Sequence, residues 1–284
     1  MTVDRRSILR TTAQLATLTA AGELLTGCGQ EAATGAGGPH SADPQPNGGS
    51  PLDPNRMPHA SPTASPSSPG SAPPFAAALP ALAPNTPQEV VSGPRDRPQV
   101  ALTFHGQGDP ALATALLAAA EQRGARLTVL AVGSWLDQQP QLAGRILDGG
   151  HELGNHTLNH LDLATLGPDQ VYAEISGCAD RLRALTGSIG RWFRPSAAQF
   201  ATPVVRKQAK KAGYDHCLSY DLDPMDYADP GAEAVQRRIL SGIKPGSVVA
   251  LHMGHKGTVD ALPAVLDALR QRGLSAVTAS QLCS

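Results

Sequence analysis

The stretch His151-Glu-Leu-Gly-Asn-His156-Thr-Leu-Asn-His160 joins a short strand-forming segment to a pair of histidines. Residues four positions apart lie on one side of a helical turn, close enough for two imidazoles to share a metal ion. Neutral imidazole is a common ligand for metals such as zinc. The stretch therefore predicts a strand that ends at two histidines, His156 and His160, which either share a metal ion or lie on an ordinary surface turn.

Strands and helices alternate on both sides of this stretch. Apolar runs and turn residues predict strands at 99–104, 127–132, 151–154, 191–194, 214–220, 247–251 and 274–278. Helical patterns fall at 111–123, 138–147, 168–185, 202–212, 232–240 and 259–272. This alternation is typical of parallel βαβ units, and six or seven units in about 185 residues favour an α/β fold with a small, distorted, incomplete barrel over an open sheet.

The polar clusters of the chain fall where these strands end. They occupy 105–109, 156–160, 194–196, 223–227 and His252. In parallel barrels, functional side chains lie at the carboxyl ends of the strands. We therefore expect all five clusters to meet at one rim and to form a site.

The order and spelling of these clusters resemble the polysaccharide deacetylase family of the NodB type, over about 185 residues. The resemblance implies a distorted (β/α) barrel that uses a divalent metal, such as zinc, to remove acetyl groups from N-acetylated sugars. It implies that His156 and His160 bind the metal and that His252 is the acid that protonates the leaving amine. It further implies that Asp226 orients His252 and that Arg194 steadies the base.

The first motif departs from the family pattern. Where the family has Thr-Phe-Asp-Asp-Gly-Pro, this chain has Thr103-Phe-His-Gly-Gln-Gly-Asp-Pro110. His105 could be the base or a third ligand, with Asp109 supplying the missing carboxylate to the metal. Alternatively, three histidines bind the metal, or the domain has lost hydrolysis and only binds glycans.

Five polar groups remain together at the predicted rim, which favours catalysis. We therefore expect a metal-dependent hydrolase that deacetylates a cell-wall or related polysaccharide, with catalytic contributions from His105, Asp109, Arg194, Asp226 and His252. The alternative is a catalytically inactive glycan-binding lipoprotein on the same fold. A hydrolase of another small amide or ester is a third hypothesis.

The amino-terminal part of the chain predicts export and anchoring. Residues 1–28 resemble a twin-arginine signal that ends in the lipobox Leu-Thr-Gly-Cys28. Lipidation of Cys28 would hold the protein on the outer face of the cytoplasmic membrane. Sixteen of the 25 prolines lie between positions 39 and 98, so 29–97 are expected to be a disordered tether and 98–284 the folded domain.

Composition excludes other classes of protein. The net charge is -1 with 17% charged residues, and no basic patch with interleaved aromatics predicts nucleic-acid binding. No apolar run of about 18 residues predicts a membrane-spanning helix. Cys178, Cys217 and Cys283 could provide one disulfide in an oxidising compartment or could be buried small side chains. We expect a monomer that binds an N-acetylated glycan.

Overall fold

A computed structural model describes residues 79–284 of the chain. The predicted signal over 1–28, the lipidation site Cys28 and the tether residues 29–78 lie outside the described residues. None of the helices between positions 79 and 284 has the length and apolarity that a bilayer-spanning segment needs.

Between positions 79 and 284 the chain forms eight strands and eight helices. The sequence pattern predicts seven of these strands and six of these helices; the additional elements are a short strand near residue 89 and two short helices that begin at Gly133 and Ala279. The strands are β1 (Glu89–Val90), β2 (Gln99–Gly106), β3 (Thr128–Ala131), β4 (Glu152–Asn155), β5 (Trp192–Phe193), β6 (His216–Leu218), β7 (Val248–His252) and β8 (Ser275–Ala276). The helices are α1 (Pro110–Glu121), α2 (Gly133–Gln138), α3 (Gln141–Asp148), α4 (Pro168–Thr186), α5 (Pro203–Lys211), α6 (Ala232–Gly242), α7 (Lys256–Gln271) and α8 (Ala279–Leu282). Two 3₁₀ helices span Leu163–Thr165 and Asp226–Ala228.

The strands form one parallel sheet that curls into an incomplete barrel. Their order is β1-β6-β5-β4-β3-β2-β7, and β8 pairs with the start of β2. Single bridges from Ser92 to Ser247 and from Leu222 to Val249 join chain near β1 and β6 to β7, so the opposite edges of the sheet meet. The predicted distorted (β/α) barrel is confirmed.

Alternation along β2 explains how this strand serves both the core and the site. Successive side chains of a strand point to opposite faces. Leu102 and Phe104 pack in the layer between the sheet and the helices. Ala101 packs with Leu130 and Trp192 in a separate cluster, on the other face. Position 105 lies on the same face of the strand as Ala101. The side chain of His105 therefore points towards the barrel interior, at the carboxyl end of β2.

The folded domain begins earlier than the predicted boundary at residue 98. Within 79–97, β1 pairs with β6, and the Ala83 amide donates to the Cys283 carbonyl at 3.0 Å. Arg97 also donates to the Leu282 carbonyl at 3.0 Å. The prediction of disorder up to residue 97 is therefore wrong for 79–97, because these residues find partners far away in the sequence that local composition cannot reveal.

The cysteines of the folded domain do not form disulfides. Cys178, Cys217 and Cys283 are buried free thiols. Burial raises the pKa of the Cys178 and Cys217 thiols to about 12. Of the two alternatives left open by the sequence, these side chains follow the second, as small buried groups.

Candidate active site

Strand register brings the first and last histidines of the site together. In the parallel pairing of β2 with β7, His105 lies directly opposite His252. The His105 Nδ1 and His252 Nε2 atoms are 2.8 Å apart. The two residues are 147 positions apart in the chain, and their contact follows from adjacent strands that end at the same level.

Asp226 fixes the direction of the hydrogen bonds in this pair. Its Oδ1 lies 2.8 Å from Nδ1 of His252, and its Oδ2 accepts from the His252 amide at 2.8 Å and from the Thr258 hydroxyl at 2.6 Å. A carboxylate only accepts, so His252 Nδ1 carries a proton. With one proton on each ring, His252 Nε2 accepts from His105 Nδ1. The Nε2 of His105 is then a bare acceptor, and it is buried without a hydrogen-bond partner.

The structure brings the rings of His156 and His160 close together, next to His105. The His156 Nδ1 lies 3.0 Å from the Arg194 carbonyl oxygen, which can only accept. The lone pair of His156 is therefore on Nε2, which is also buried without a partner. The rings of His156 and His160 have centroids 4.9 Å apart and are inclined by 68°. This donor set fits two imidazole ligands of one metal ion, with the backbone carbonyl setting the tautomer as in many metal sites.

The backbone on either side of these residues explains their placement. The last residue of β4, Asn155, is paired with Phe193 of β5, so His156 and Arg194 leave neighbouring strand ends together. The Arg194 amide donates to the Asn155 carbonyl at 2.9 Å. Asn155 caps the turn that follows, since its side-chain oxygen accepts from the Thr157 amide at 2.8 Å.

Arg194 is a fully buried cation without a carboxylate partner. Its Nε donates to the Leu218 carbonyl at 2.7 Å, and its Nη2 donates to the Thr103 hydroxyl at 2.8 Å. Nη1 has no hydrogen-bond partner, and no ion pair includes Arg194 within residues 79–284. Burial lowers the pKa of the Arg194 guanidinium to about 10. The Arg194 guanidinium thus lies at this end of the barrel without a paired carboxylate among residues 79–284.

Burial keeps the clustered histidines neutral. It is the largest cause that lowers the pKa of His105 well below 6.5, and the positive charges of His156 and Arg194 add to it. Burial also lowers the pKa of His156 well below 6.5, with His160 as the next cause. The pKa of His160 is lowered in the same direction, mainly by burial and then by His252. Neutral rings are the form in which imidazoles bind metals.

The structure does not bring Asp109 to this group, which corrects its assignment as a base or metal ligand. Asp109 is the N-cap of α1, and its Oδ1 accepts from the Ala111 amide at 2.7 Å. An aspartate before a proline at the first helical position is held there by the orphan amides of the helix. The side chain is exposed and does not line the cleft above the histidines.

No other carboxylate replaces Asp109 as a third ligand. Between positions 79 and 284, no three His, Cys, Asp or Glu side chains are grouped as metal ligands. The ring of His105 instead stacks on the ring of His156, with centroids 4.2 Å apart. At Gly106, a Cβ atom would lie 2.8 Å from Val129 Cγ1 and 3.1 Å from Ala131 Cα, so neighbours occupy the space of a side chain there.

A cleft of about 410 Å³ opens above this cluster. His160 and His252 lie on its walls together with the half-exposed aromatic Tyr227, which stands 5.4 Å from the His252 ring. The backbone around the cleft is strained. All five non-glycine residues with positive φ in the described chain lie in its loops: Thr157, His160, Ala197, Met225 and Asp229. Such strain persists where the surrounding structure over-determines the backbone, and it concentrates at functional sites.

One residue that lines the cleft belongs to a hydrogen-bonded pair that the sequence analysis did not assign. His255 lines the same cleft, and its Nδ1 lies 2.7 Å from Asp229 Oδ1. The signal was in the sequence, because Asp229 and His255 follow Asp226 and His252 by three positions each. Both pairs therefore have the same separation of 26 residues.

The fold and the site together define an α/β barrel domain with an imidazole-rich centre at the carboxyl ends of its strands. The chain belongs to the polysaccharide deacetylase family, whose model matches residues 92–217. A peptidoglycan-N-acetylglucosamine deacetylase of Bacillus cereus is 32% identical over 201 residues, which cover 66% of this chain and 90% of that protein. A chitooligosaccharide deacetylase of Bradyrhizobium is 30% identical over 198 residues, 64% of this chain and 88% of that protein.

Solved structures share the fold. A peptidoglycan N-acetylglucosamine deacetylase bound to a naphthalenyl N-hydroxybenzamide superposes with a TM-score of 0.65 at 25% identity, over 69% of this chain and 92% of that one. A CE4 family pseudoenzyme from Bacillus anthracis superposes with a TM-score of 0.65 at 22% identity, over 69% of each chain. At that identity, the second likeness concerns the fold alone.

Proposed function

We propose that this domain is a metal-dependent hydrolase that removes N-acetyl groups from a cell-wall or related polysaccharide. The observation that carries the proposal is the pair of buried acceptors, His105 Nε2 and His156 Nε2, each with its tautomer set by a neighbour. A bare imidazole nitrogen can bind a metal or take a proton from water. The names of the relatives support an N-acetylated glycan as the substrate.

His156 and His160 would hold the metal, which we propose to be zinc. When bound, zinc polarises the amide carbonyl and lowers the pKa of a bound water. His105 Nε2 would accept the proton of the attacking water, as the base in the position where the family has aspartate. The bond to His252, itself held by Asp226, keeps the His105 ring in that tautomer. Arg194 would place a fixed positive charge behind the site.

The altered first motif favours a second candidate, a glycan-binding domain without hydrolysis. Its specific support is the buried guanidinium of Arg194, which lacks the acid that the family motif supplies. The filled space around Gly106 adds to it, because a carboxylate cannot enter there without movement of Val129.

One experiment separates the two candidates. Acetate release from N-acetylglucosamine oligomers and peptidoglycan is measured with the zinc-loaded protein, beside His160→Ala and Asp109→Ala. We expect release by the parent and by Asp109→Ala, and at least a hundredfold loss in His160→Ala. Calorimetry should show zinc binding that His160→Ala weakens. No release under several metals, with calorimetric binding of the oligomers retained, would establish the binding domain instead.

We also propose that Cys28 anchors the protein through a lipid to the outer face of the cytoplasmic membrane. The order of the twin-arginine segment, apolar stretch and lipobox supports this. Metabolic labelling with radioactive palmitate in a bacterial host should mark the wild-type chain and leave Cys28→Ser unlabelled. Equal labelling of both chains would contradict the assignment.

A further inference from the structure

The acid that the family resemblance assigns to this site is already engaged in the structure. His252 Nε2, the atom that would donate a proton to a leaving amine, lies 2.8 Å from His105 Nδ1. Its Nδ1 is equally committed to Asp226. Both ring nitrogens of His252 therefore have protein partners. As long as His105 stands in place of the family's aspartate, His252 Nε2 is hydrogen-bonded to the base and is not free to donate to a substrate.

A second imidazole–carboxylate pair, Asp229 and His255, has its imidazole on the wall of the same cleft with one ring nitrogen free. The Nδ1 of His255 lies 2.7 Å from Asp229 Oδ1, and its Nε2 makes no hydrogen bond to any residue between 79 and 284. The side chain of His255 is 28% exposed, against 15% for His252, so it can reach a bound molecule and still be held in place. A carboxylate on one ring nitrogen orients an imidazole and stabilises its protonated form.

The backbone holds this pair in a defined place. Asp229 has a φ of 50°, at the end of the 3₁₀ helix Asp226–Ala228 that also carries Asp226. His255 is the residue before α7, and its carbonyl accepts from the amides of Thr258 and Val259. The His255 ring stands edge-on to the ring of His252, with centroids 5.7 Å apart. The second pair thus lies three residues beyond the first on each segment, with Asp229 at the end of the 3₁₀ helix and His255 in the loop between β7 and α7.

We propose that His255, oriented by Asp229, is the proton donor for the leaving amine in this protein. When the tetrahedral adduct of water and the N-acetyl group collapses, the C–N bond breaks and its electron pair stays on the sugar nitrogen. That nitrogen takes the proton from His255 Nε2. Acetate and the free amine leave, and His255 is left with its remaining proton on Nδ1, shared with Asp229. This inference rests on the proposed deacetylase activity.

The test compares a leaving group that needs a proton with one that does not. The full-length protein, loaded with zinc, is assayed on N-acetylglucosamine oligomers and on 4-nitrophenyl acetate, whose phenolate leaves without protonation. His255→Gln should lower kcat on the oligomers by about a hundredfold or more, the usual range for loss of an acid. It should leave KM and the ester rate within about threefold, because a missing proton donor affects only amine departure. Asp229→Asn should lower the oligomer rate in the same selective way.

The matched control is Lys256→Gln, next to His255 and outside the cleft, which should leave both rates unchanged. Equal losses on both substrates in His255→Gln, or no loss on either, would overturn the assignment of His255 while the deacetylase stands. A parent that hydrolyses neither substrate would instead overturn the proposed function. Thermal unfolding of each variant shows whether it is folded, and His255→Asn, shorter but equally polar, provides a second variant that should show the same selective loss.

Discussion

Single atoms at the carboxyl end of the barrel decide what the histidines can do. Asp226 is fully buried and receives three hydrogen bonds, two of them from His252. It determines which nitrogen of His252 is protonated and, through His252, which nitrogen of His105 is bare. The Arg194 carbonyl does the same for His156. The tautomers therefore depend on acceptors that cannot donate, and they remain fixed until one of these acceptors changes.

Replacing Asp226 by asparagine should lower the stability of the domain. The NH₂ group of the asparagine side chain would face donors of His252 and Thr258, where a carboxylate oxygen now accepts. Hydrogen bonds to charged groups contribute about 1.5–3 kcal/mol, so Asp226→Asn should lower the free energy of unfolding by about that amount. Urea denaturation measures the change. Asp229→Asn, at the exposed pair with His255, should cost less than about 1 kcal/mol. Equal losses in the two variants would show that Asp226 is not the buried anchor described above.

Replacing His105 by aspartate should strengthen metal binding. The change places a carboxylate beside His156 and gives the buried Arg194 guanidinium a negatively charged neighbour. In the present chain the neutral ring of His105 occupies this position. We expect His105→Asp to bind zinc about tenfold more tightly by calorimetry, since one added ligand charge of this kind is worth about 1.4 kcal/mol or more at a partly buried site. His105→Asn, with the same shape and no charge, should show no gain. If His105→Asp and His105→Asn bind zinc equally tightly, a negative charge at this position does not strengthen metal binding.

Strand β2 shows how one element can serve the core and the site. It runs two residues beyond the predicted end at Phe104, through His105 to Gly106. Gly106 lies opposite Ala131 of β3, and the close packing of Val129 and Trp135 leaves no room for a side chain. In the family pattern, the position after the first aspartate carries a second one, whereas in this chain the strand continues through that position.

Gly106→Ala should therefore destabilise the domain. Overpacking a rigid site costs about 1–3 kcal/mol, and the nearest atoms include the Ala131 backbone, which cannot rotate away. Chemical denaturation should show that loss. Gly257→Ala is the matched control, because its Cβ would meet atoms no nearer than 3.5 Å inside α7 and alanine favours a helix by up to about 1 kcal/mol. If Gly106→Ala leaves the free energy of unfolding unchanged, β2 shifts easily and a carboxylate would have space at this position.

At the scale of the whole molecule, the last residues of the chain close the barrel opposite the site. Helix α8 contributes Leu282 to the inner core cluster with Trp192. Ser280 donates its amide to the buried carboxylate of Glu152 at 3.0 Å and also donates its hydroxyl to the same group. Glu152 begins β4, the strand that leads into His156 and His160. Helix α8 is thus hydrogen-bonded to the start of β4, at the opposite end of the strand from the candidate site.

Ser280→Ala should destabilise the domain in a pH-dependent way. Burial raises the pKa of Glu152, so its ionised form costs stability at pH above that pKa, and the donors of Ser280 offset part of that cost. Without the hydroxyl, the pKa rises further. The loss, about 1–3 kcal/mol at about pH 8, should shrink as pH falls through the pKa of Glu152 and the group becomes neutral. The part that remains comes from the Trp192 indole, whose Nε1 donates to the Ser280 hydroxyl at 3.1 Å at any pH. Ser284→Ala, at the exposed end of the chain, should show no pH-dependent loss of stability. If the loss in Ser280→Ala does not change with pH at all, it does not arise from the ionisation of Glu152.

The alternation of strands and helices, the distorted barrel and the convergence of five polar clusters on one rim can all be predicted from the sequence. These features depend on local periodicity and on parallel strands ending together, so they can be read along the chain. The folded structure was needed to show that Asp109 caps α1, that residues 79–97 join the domain, and that His105 bonds to His252. It also revealed the pair of Asp229 and His255 in the cleft. Each of these depends on partners that are distant in sequence, or on a choice between a local cap and a distant site, and only the folded chain makes that choice.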